Sequence, residues 1–142
     1  MEEFLIQSAD GEGQLLFLDR EPFDGNQPIE GYRVRVTDQN LSAAGQVYTG
    51  YANSHPASLF AEMAERWQGW PGDLEWESLE YEFALRCSHD RRGHIRIGVR
   101  LGSQMGHWAF AWEVQTAVMV EAGQLDRLAR EAAMFFGQPR HV

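Results

Sequence analysis

The 142-residue sequence contains no lysine and only one cysteine, Cys87. All twelve basic residues are arginines, and twenty-one acids set the formal net charge at −9. Because binding to a phosphate backbone requires a basic footprint, we expect no nucleic-acid partner. A lone cysteine excludes an internal disulfide framework and is typical of a reducing compartment. We therefore expect a cytoplasmic protein whose charge favours a basic protein partner.

Long apolar runs and familiar catalytic motifs are also missing. No stretch approaches the roughly 18 apolar residues that span a bilayer, and the start of the chain, Met1-Glu2-Glu3-Phe4, lacks the positive region of a signal peptide. We find no glycine-rich phosphate loop, nucleophile elbow or dinucleotide fingerprint. Length and composition suit one globular domain over residues 1–142. We expect no membrane association, catalytic residues, cofactor or bound metal, and the interpretation leans away from an enzyme.

Most of the chain shows strand patterns. Strict alternation is clearest over residues 81–88 and 95–101, which the turn Asp90-Arg91-Arg92-Gly93 joins. Tyr81 and Phe83 begin the apolar face of the first run, and Glu82 lies on its polar face. A third run predicts one face with the residues Trp108, Phe110, Trp112 and Val114. Together with strand-like runs near residues 4–6, 15–18, 32–37 and 41–51, these short connections predict an antiparallel meander of about six strands.

Two amphipathic helices complete an α+β class. The first helix is expected to begin near Ser54-His55-Pro56 and to end before Gly69. Its apolar stripe consists of Leu59, Phe60, Met63, Ala64 and Trp67. The second is predicted from about Ala122 to Phe136, with apolar residues at helical spacing. One helix thus lies between strands and the other at the C-terminus.

An acidic run flanked by tryptophans is the most unusual local feature. Its acids are Asp73, Glu75, Glu77, Glu80 and Glu82, and its tryptophans are Trp67, Trp70 and Trp76. One interpretation makes the tryptophans core residues and the acids a solvated surface. The other makes the acids a docking surface for a basic partner, with Trp70 as an aromatic anchor. Paired carboxylates for glycoside hydrolysis are a weaker alternative, because no sugar-binding cleft accompanies them.

The phase of alternation changes within this acidic run. Extending the strand at residues 81–88 backward would place Glu75 and Glu77 on the apolar face with Phe83. Carboxylates are disfavoured in a core, so the pattern predicts a bulge or bend near Glu77-Ser78. Such irregularities often redirect side chains at functional edges.

Histidines near one turn suggest a metal site only weakly. His89, Asp90 and His94 flank the turn, and His107 is expected on the following strand. Zinc needs three or four ligands at fixed distances, so solvated histidines are the favoured interpretation. Cys87 shares a predicted strand face with His89, but its apolar neighbours on that face favour a buried, unreactive thiol.

The second half of the chain resembles a family of small uncharacterised bacterial proteins, a domain of unknown function. The residues that carry the resemblance are Trp67-Gln68-Gly69-Trp70-Pro71-Gly72, Trp76-Glu77-Ser78-Leu79-Glu80, Gly93-His94-Ile95 and Gly123-Gln124-Leu125. The resemblance implies no catalytic residues, and it does not extend to the N-terminal third. In type rather than motif, the chain is also similar to immunity proteins, which neutralise a cognate toxin by binding it.

These observations favour a non-enzymatic protein-binding module of the immunity type, with a basic toxin as its partner. The expected partner-binding residues are Trp70, Asp73, Glu75, Glu77, Glu80 and Glu82. A second hypothesis is an enzyme, or a metabolite- or metal-binding protein, with a pocket between sheet and helix near Cys87, His89 and His94. A third is a homodimer that pairs through an exposed sheet edge.

Overall fold

The computed structural model describes residues 1–22, 28–50, 54–103 and 110–137. Its strands are β1 (Phe4–Gln7), β2 (Gln14–Glu21), β3 (Gly31–Asp38), β4 (Leu41–Tyr48), β5 (Asp73–Glu77), β6 (Phe83–His89), β7 (His94–Gly102) and β8 (Glu113–Glu121). Its helices are α1 (Ala57–Glu65) and α2 (Leu125–Phe136), and a 3₁₀ turn, Ala122–Gln124, leads into α2.

The strands form two sheets rather than one. The first has the order β1-β2-β3-β4 and the second β5-β6-β7-β8, with every neighbouring pair antiparallel. The α+β class is confirmed, but the prediction of a single meander of about six strands is wrong. Short connections correctly indicate antiparallel neighbours. The helix α1 and the residues after it, however, separate β4 from β5, and β5 begins a second sheet.

Strand β5 is the element that the sequence interpretation missed. Its partly buried Leu74 and Trp76 alternate with exposed acids, which is the pattern of a half-solvated strand. The predicted bend near Glu77-Ser78 is a full turn, because β5 ends at Glu77 and Tyr81 takes a left-handed φ of 65° before β6 begins. This reversal lets β5 pair with β6 and carries its acids outward.

The third predicted run is displaced along the chain. Trp108 lies outside the described residues, and Phe110 and Trp112 precede β8. Val114 belongs to β8, and its inward phase continues through Thr116 to the buried Val118 and Val120. The aromatic alternation therefore gave the correct phase for Val114 but the wrong position for the strand.

Both helices lie close to their predicted positions. Leu59, Phe60 and Met63 of α1 are buried, whereas Trp67 follows the helix and is 55% exposed. Gly69 has a φ of 139°, which favours glycine just beyond the end of the helix. The C-terminal segment begins as a 3₁₀ turn at Ala122 and becomes α-helical from Leu125.

The two sheets and two helices bury their apolar faces in one hydrophobic cluster. Phe17 of β2 lies at its centre, with ring centres 5.8 Å from Phe83 of the second sheet and 5.4 Å from Phe136 of α2. Tyr32 is fully buried, and its ring centre lies 5.1 Å from that of Phe136. Aromatic rings thus occupy the space where the two sheets meet α2, which leaves the outer sheet faces available for contacts.

Arg20 joins the first sheet to the end of α2. Its side chain is buried, Nε donates to the Phe135 carbonyl at 2.9 Å, and an Nη donates to the Phe136 carbonyl at 3.4 Å. These carbonyls belong to the last turn, where no intrahelical amide remains to bond them. A cation at this position also interacts favourably with the helix dipole. Arg20 therefore fixes α2 against the sheets.

Candidate functional site

The outward side of the second sheet, here called the outer face, has a regular charge pattern. Its acidic rim consists of Asp73, Glu75 and Glu77 on β5 and Glu113 on β8, all exposed. Side chains in a strand alternate between the two sides of a sheet, so two-residue spacing aligns the three β5 acids. The register then places arginines of β6 and β7 between the two acidic strands.

Arg86 of β6 neutralises part of the rim. It stands directly opposite Glu75 on β5, and its Nε lies 2.9 Å from a Glu75 carboxylate oxygen and 3.7 Å from one of Asp73. All three side chains are solvent-exposed, so such pairs contribute about 0–1 kcal/mol of stability. Their consequence is geometric, because they order the β5 carboxylates on the sheet.

Arg100 of β7 links the two sides of the rim. Its Nη1 donates to the Tyr81 carbonyl at 3.0 Å and lies 3.4 Å from Glu113. Its Nη2 lies 3.9 Å from Glu77. One guanidinium therefore holds the turn after β5, the end of β5 and the start of β8 in a fixed arrangement.

Small residues in the middle of the outer face leave a hollow of about 450 Å³. Its floor contains Ala84, Gly98 and Ala117, which belong to three adjacent strands. Arg86, Arg96 and Arg100 line it. A concave site with convergent polar groups is a typical place for recognition, and here it is ringed by guanidinium groups inside an acidic rim.

The structure separates the predicted partner-binding residues into three groups, of which two are exposed. Asp73, Glu75 and Glu77 lie together on the outer face, and Glu80 is exposed on the turn between β5 and β6. Glu80 lines a different cleft, beside Glu21, Glu30 and Tyr48 of the first-sheet region. Of the predicted set, only the three β5 acids therefore share one surface.

Trp70 and Glu82 are buried and cannot contribute to that surface as predicted. Trp70 is 2% exposed, and its indole Nε1 donates to the Cys87 carbonyl at 3.0 Å. Glu82 is 1% exposed, because the turn reverses the predicted phase and leaves Tyr81 outside at 58%. We therefore remove Trp70 and Glu82 from the predicted docking surface.

Glu82 is held in the interior by its own turn. Its carboxyl group bonds the Ser78 hydroxyl, and its backbone carbonyl accepts from the Gly102 amide at 2.8 Å. Burial raises the pKa of Glu82, and the Ser78 hydrogen bond opposes that shift. Glu82 also contributes, after burial itself, to raising the pKa of the fully buried Tyr32. Its role here is to fix the turn beside Arg100.

Cys87, His89 and His94, the residues with possible thiol or metal chemistry, lie on β6 and at the start of β7. Cys87 faces the core, and burial, with a smaller effect of Asp73, raises the pKa of its thiol to about 12. His89 lies 2.8 Å from the Trp67 carbonyl, and His94 lies 2.8 Å from Asp90. Within the described residues, these groups do not join a cluster of three or more metal-ligating side chains. The predicted contribution of His107 falls outside the described residues.

The Asp90 carboxylate organises the β6–β7 turn. It accepts from the Arg92 amide at 2.7 Å, from the His94 amide at 3.0 Å and from the His94 ring. The Arg92 amide first, and then the His94 contacts, lower the pKa of Asp90 to about 2. Asp90 and His94 therefore maintain the turn that sets the β6–β7 register.

Sequence reasoning missed the arginines that define the outer face. Arg86, Arg96 and Arg100 occupy the polar phase of the two predicted strands, but the acids that pair with Arg86 and Arg100 come from β5 and β8. The available signal was the alternation of Leu74 and Trp76 with acids, which indicates a strand. Pairing that strand with β6 would have brought Arg86 opposite Glu75.

Among the described residues, neither helix is long and apolar enough to cross a membrane. No curated protein and no solved structure matches the chain. A family model described as a family of unknown function (DUF6228) does match, over residues 6–139, so the similarity includes most of the N-terminal third that the noted resemblance left out. The chain belongs to this family of unknown function, DUF6228.

Proposed function

We propose that the protein is a non-enzymatic protein-binding module of the immunity type, which docks a basic partner such as a toxin on the outer face. The observation that carries this proposal is the acidic rim, ordered by arginines in a fixed cross-strand register. Preorganised charges need little rearrangement on binding, and complementary charge raises the association rate.

The balance of charge on the outer face favours a basic partner despite the internal ion pairs. Five carboxylates stand at outward positions of β5 and β8, counting Glu121 beside the four of the acidic rim, against three arginines of β6 and β7. The ion pairs therefore leave excess negative charge at the rim. A basic surface would meet carboxylates already held in place.

Self-association through the edge of β5 is the less favoured partner hypothesis. β5 has one neighbouring strand within the described part of its sheet, so its other edge is a site for strand addition. Antiparallel pairing of two β5 strands would, however, bring Asp73, Glu75 and Glu77 of one copy against the same acids of the other. Like charges placed opposite each other are destabilising.

Mixing the purified protein with the product of the adjacent reading frame tests the proposal directly. We expect a complex on size-exclusion chromatography and rescue of growth when the two are co-expressed. Absence of both results would refute the immunity-type function. The mass of the protein alone, measured by light scattering, separates a monomer that binds a partner from a homodimer.

A further inference from the structure

Three arginines converge on one glycine at the centre of the outer face. Arg96 and Arg100 lie two residues before and after Gly98 on β7, and Arg86 stands opposite Gly98 on β6. Residues two apart in a strand share a face, so all three side chains surround the hollow.

Gly98 leaves space that any other residue would fill. A Cβ at this position would lie 2.9 Å from Arg96 Nη1 and 3.1 Å from the Arg86 carbonyl oxygen. The Arg96 guanidinium therefore lies close over the β7 backbone, at the floor of the hollow. A side chain at position 98 would displace it.

Arg96 differs from its two neighbours in lacking a carboxylate. Arg86 and Arg100 each contact acids of the rim, whereas Arg96 forms no ion pair with a described residue. The register explains this difference, because its cross-strand partners are Ser88 and Met119. Its planar fork of donors remains available, and a carboxylate is the protein group that matches this geometry in a bidentate manner.

We infer that the partner inserts a carboxylate side chain into the hollow, where the Arg96 guanidinium binds it. This inference rests on the proposed function and specifies its partner chemistry. A free anion would be repelled by Glu75 and Glu77, which line the same hollow. An acidic side chain carried on a basic surface avoids that repulsion, since its neighbours pair with the acidic rim. The recognised element is thus an acid surrounded by bases.

Two matched peptides provide the test on the whole chain. The probe is acetyl-Lys-Lys-Glu-Lys-Lys-amide, and its control carries glutamine in place of the central glutamate. Arginine Nε–Hε signals are followed by NMR during titration at low salt. We expect the glutamate peptide to shift the Arg96 signal and to bind roughly three- to tenfold more tightly than the glutamine peptide, as a solvent-accessible ion pair allows.

Variants assign the effect to Arg96. Arg96→Gln should abolish the preference for glutamate, and Gly98→Ala should weaken it by displacing the guanidinium. Arg33→Gln, at an exposed position on the outward side of the first sheet, should leave the preference unchanged. Should Gly98→Ala fail to fold, Arg96→Gln still decides the question, because it changes only an exposed side chain.

The other results overturn the inference in separable ways. Equal binding of both peptides would show that no carboxylate binds in the hollow. The acidic rim would then remain the docking surface. Binding of inorganic phosphate at Arg96 as tightly as the glutamate peptide would identify a free anion as the occupant. If neither peptide shifts Arg96, the hollow is not a carboxylate site, while complex formation with the partner still tests the proposed function on its own.

Discussion

The outward sides of the two four-stranded sheets differ in how their charges are placed. In the first sheet, the central outward row crosses four strands without a carboxylate: Leu5, Leu16, Arg35 and Ala44. In the second, the corresponding row begins with an ion pair: Glu75, Arg86, Gly98 and Ala117. The first sheet thus presents an apolar and basic outward surface. The second sheet, which has the same topology, presents an acidic outward surface joined by ion pairs.

This difference indicates that binding specificity depends on the outward faces of the sheets and not on the core. The inward sides of both sheets converge on the same cluster around Phe17, where apolar side chains must fill the available volume. Outward positions are free of that requirement, so their charge pattern can follow a partner. The net charge of −9 is therefore less informative than the register that distributes it.

Reversing the charge of the acidic rim should have the largest effect on association with a basic partner. Glu75→Lys with Glu77→Lys is expected to slow association with a basic partner by about tenfold or more at low salt, because steering by the acidic rim is lost. Glu65→Lys with Asp126→Lys changes the net charge equally on the exposed surface of the two helices and should have a much smaller effect. Stopped-flow association rates at several salt concentrations provide the measurement. Equal slowing in both pairs would mean that only total charge matters.

A buried arginine should matter far more to stability than an exposed one. Arg20→Met removes the donors for the Phe135 and Phe136 carbonyls, and each buried acceptor left without a partner costs about 1–3 kcal/mol. We expect a loss of about 3 kcal/mol in the free energy of unfolding, measured with urea. Arg35→Met, on the outward side of the first sheet, should change it by at most about 0.5 kcal/mol. Similar losses in both variants would contradict the role of Arg20 at the end of α2.

Sequence patterns predicted the long elements because their periodicity is local. The alternation in β3, β6 and β7 and the apolar stripe of α2 each span two or more repeats of their period. β5 has only five residues, and the left-handed residue at Tyr81 changes the phase between it and β6. Such a turn depends on contacts of Ser78 and Glu82 that form only in the folded chain.

The candidate site was predictable only in its acids. Asp73, Glu75 and Glu77 could be recognised as exposed, but their compensation by Arg86 and Arg100 depends on which strands are neighbours. Sheet membership is a long-range property that one short motif does not encode. For the same reason, the sequence wrongly predicts Trp70 and Glu82 on a surface, whereas packing buries both side chains.

The buried acid of the acidic run should make the stability of the protein depend on pH. Burial raises the pKa of Glu82 above that of the unfolded chain, so the native state keeps a proton that the unfolded chain has released. Stability is therefore lost as the pH rises from the ordinary pKa of glutamate to the raised pKa of Glu82. The loss is at most about 1.4 kcal/mol per pH unit for one proton. Glu82→Gln removes that loss, so its stability relative to the wild type should increase as the pH rises above the ordinary pKa of glutamate.

Glu80→Gln is the matched control for this measurement. Glu80 lies two residues away on the same turn but is exposed. Because the Glu80 charge helps to raise the pKa of Glu82, its substitution should reduce the pH dependence of the urea midpoint slightly, and much less than Glu82→Gln does. Glu80 and Arg100 also act on the Glu82 carboxyl, and neither of them changes in Glu82→Gln. If the curve of urea midpoint against pH for Glu82→Gln runs parallel to that of the wild type, Glu82 does not titrate over this pH range.

The ion pairs of the outer face should contribute least to stability. Arg86→Gln breaks contacts with Asp73 and Glu75 that are exposed to solvent, so we expect a loss of a few tenths and at most about 1 kcal/mol. A double-mutant cycle with Glu75→Gln isolates the coupling, which added salt should reduce. Arg33→Gln, which breaks no ion pair with a described residue, is the control. A coupling above about 2 kcal/mol would mean that these pairs hold the sheet together and would contradict the expected small contribution.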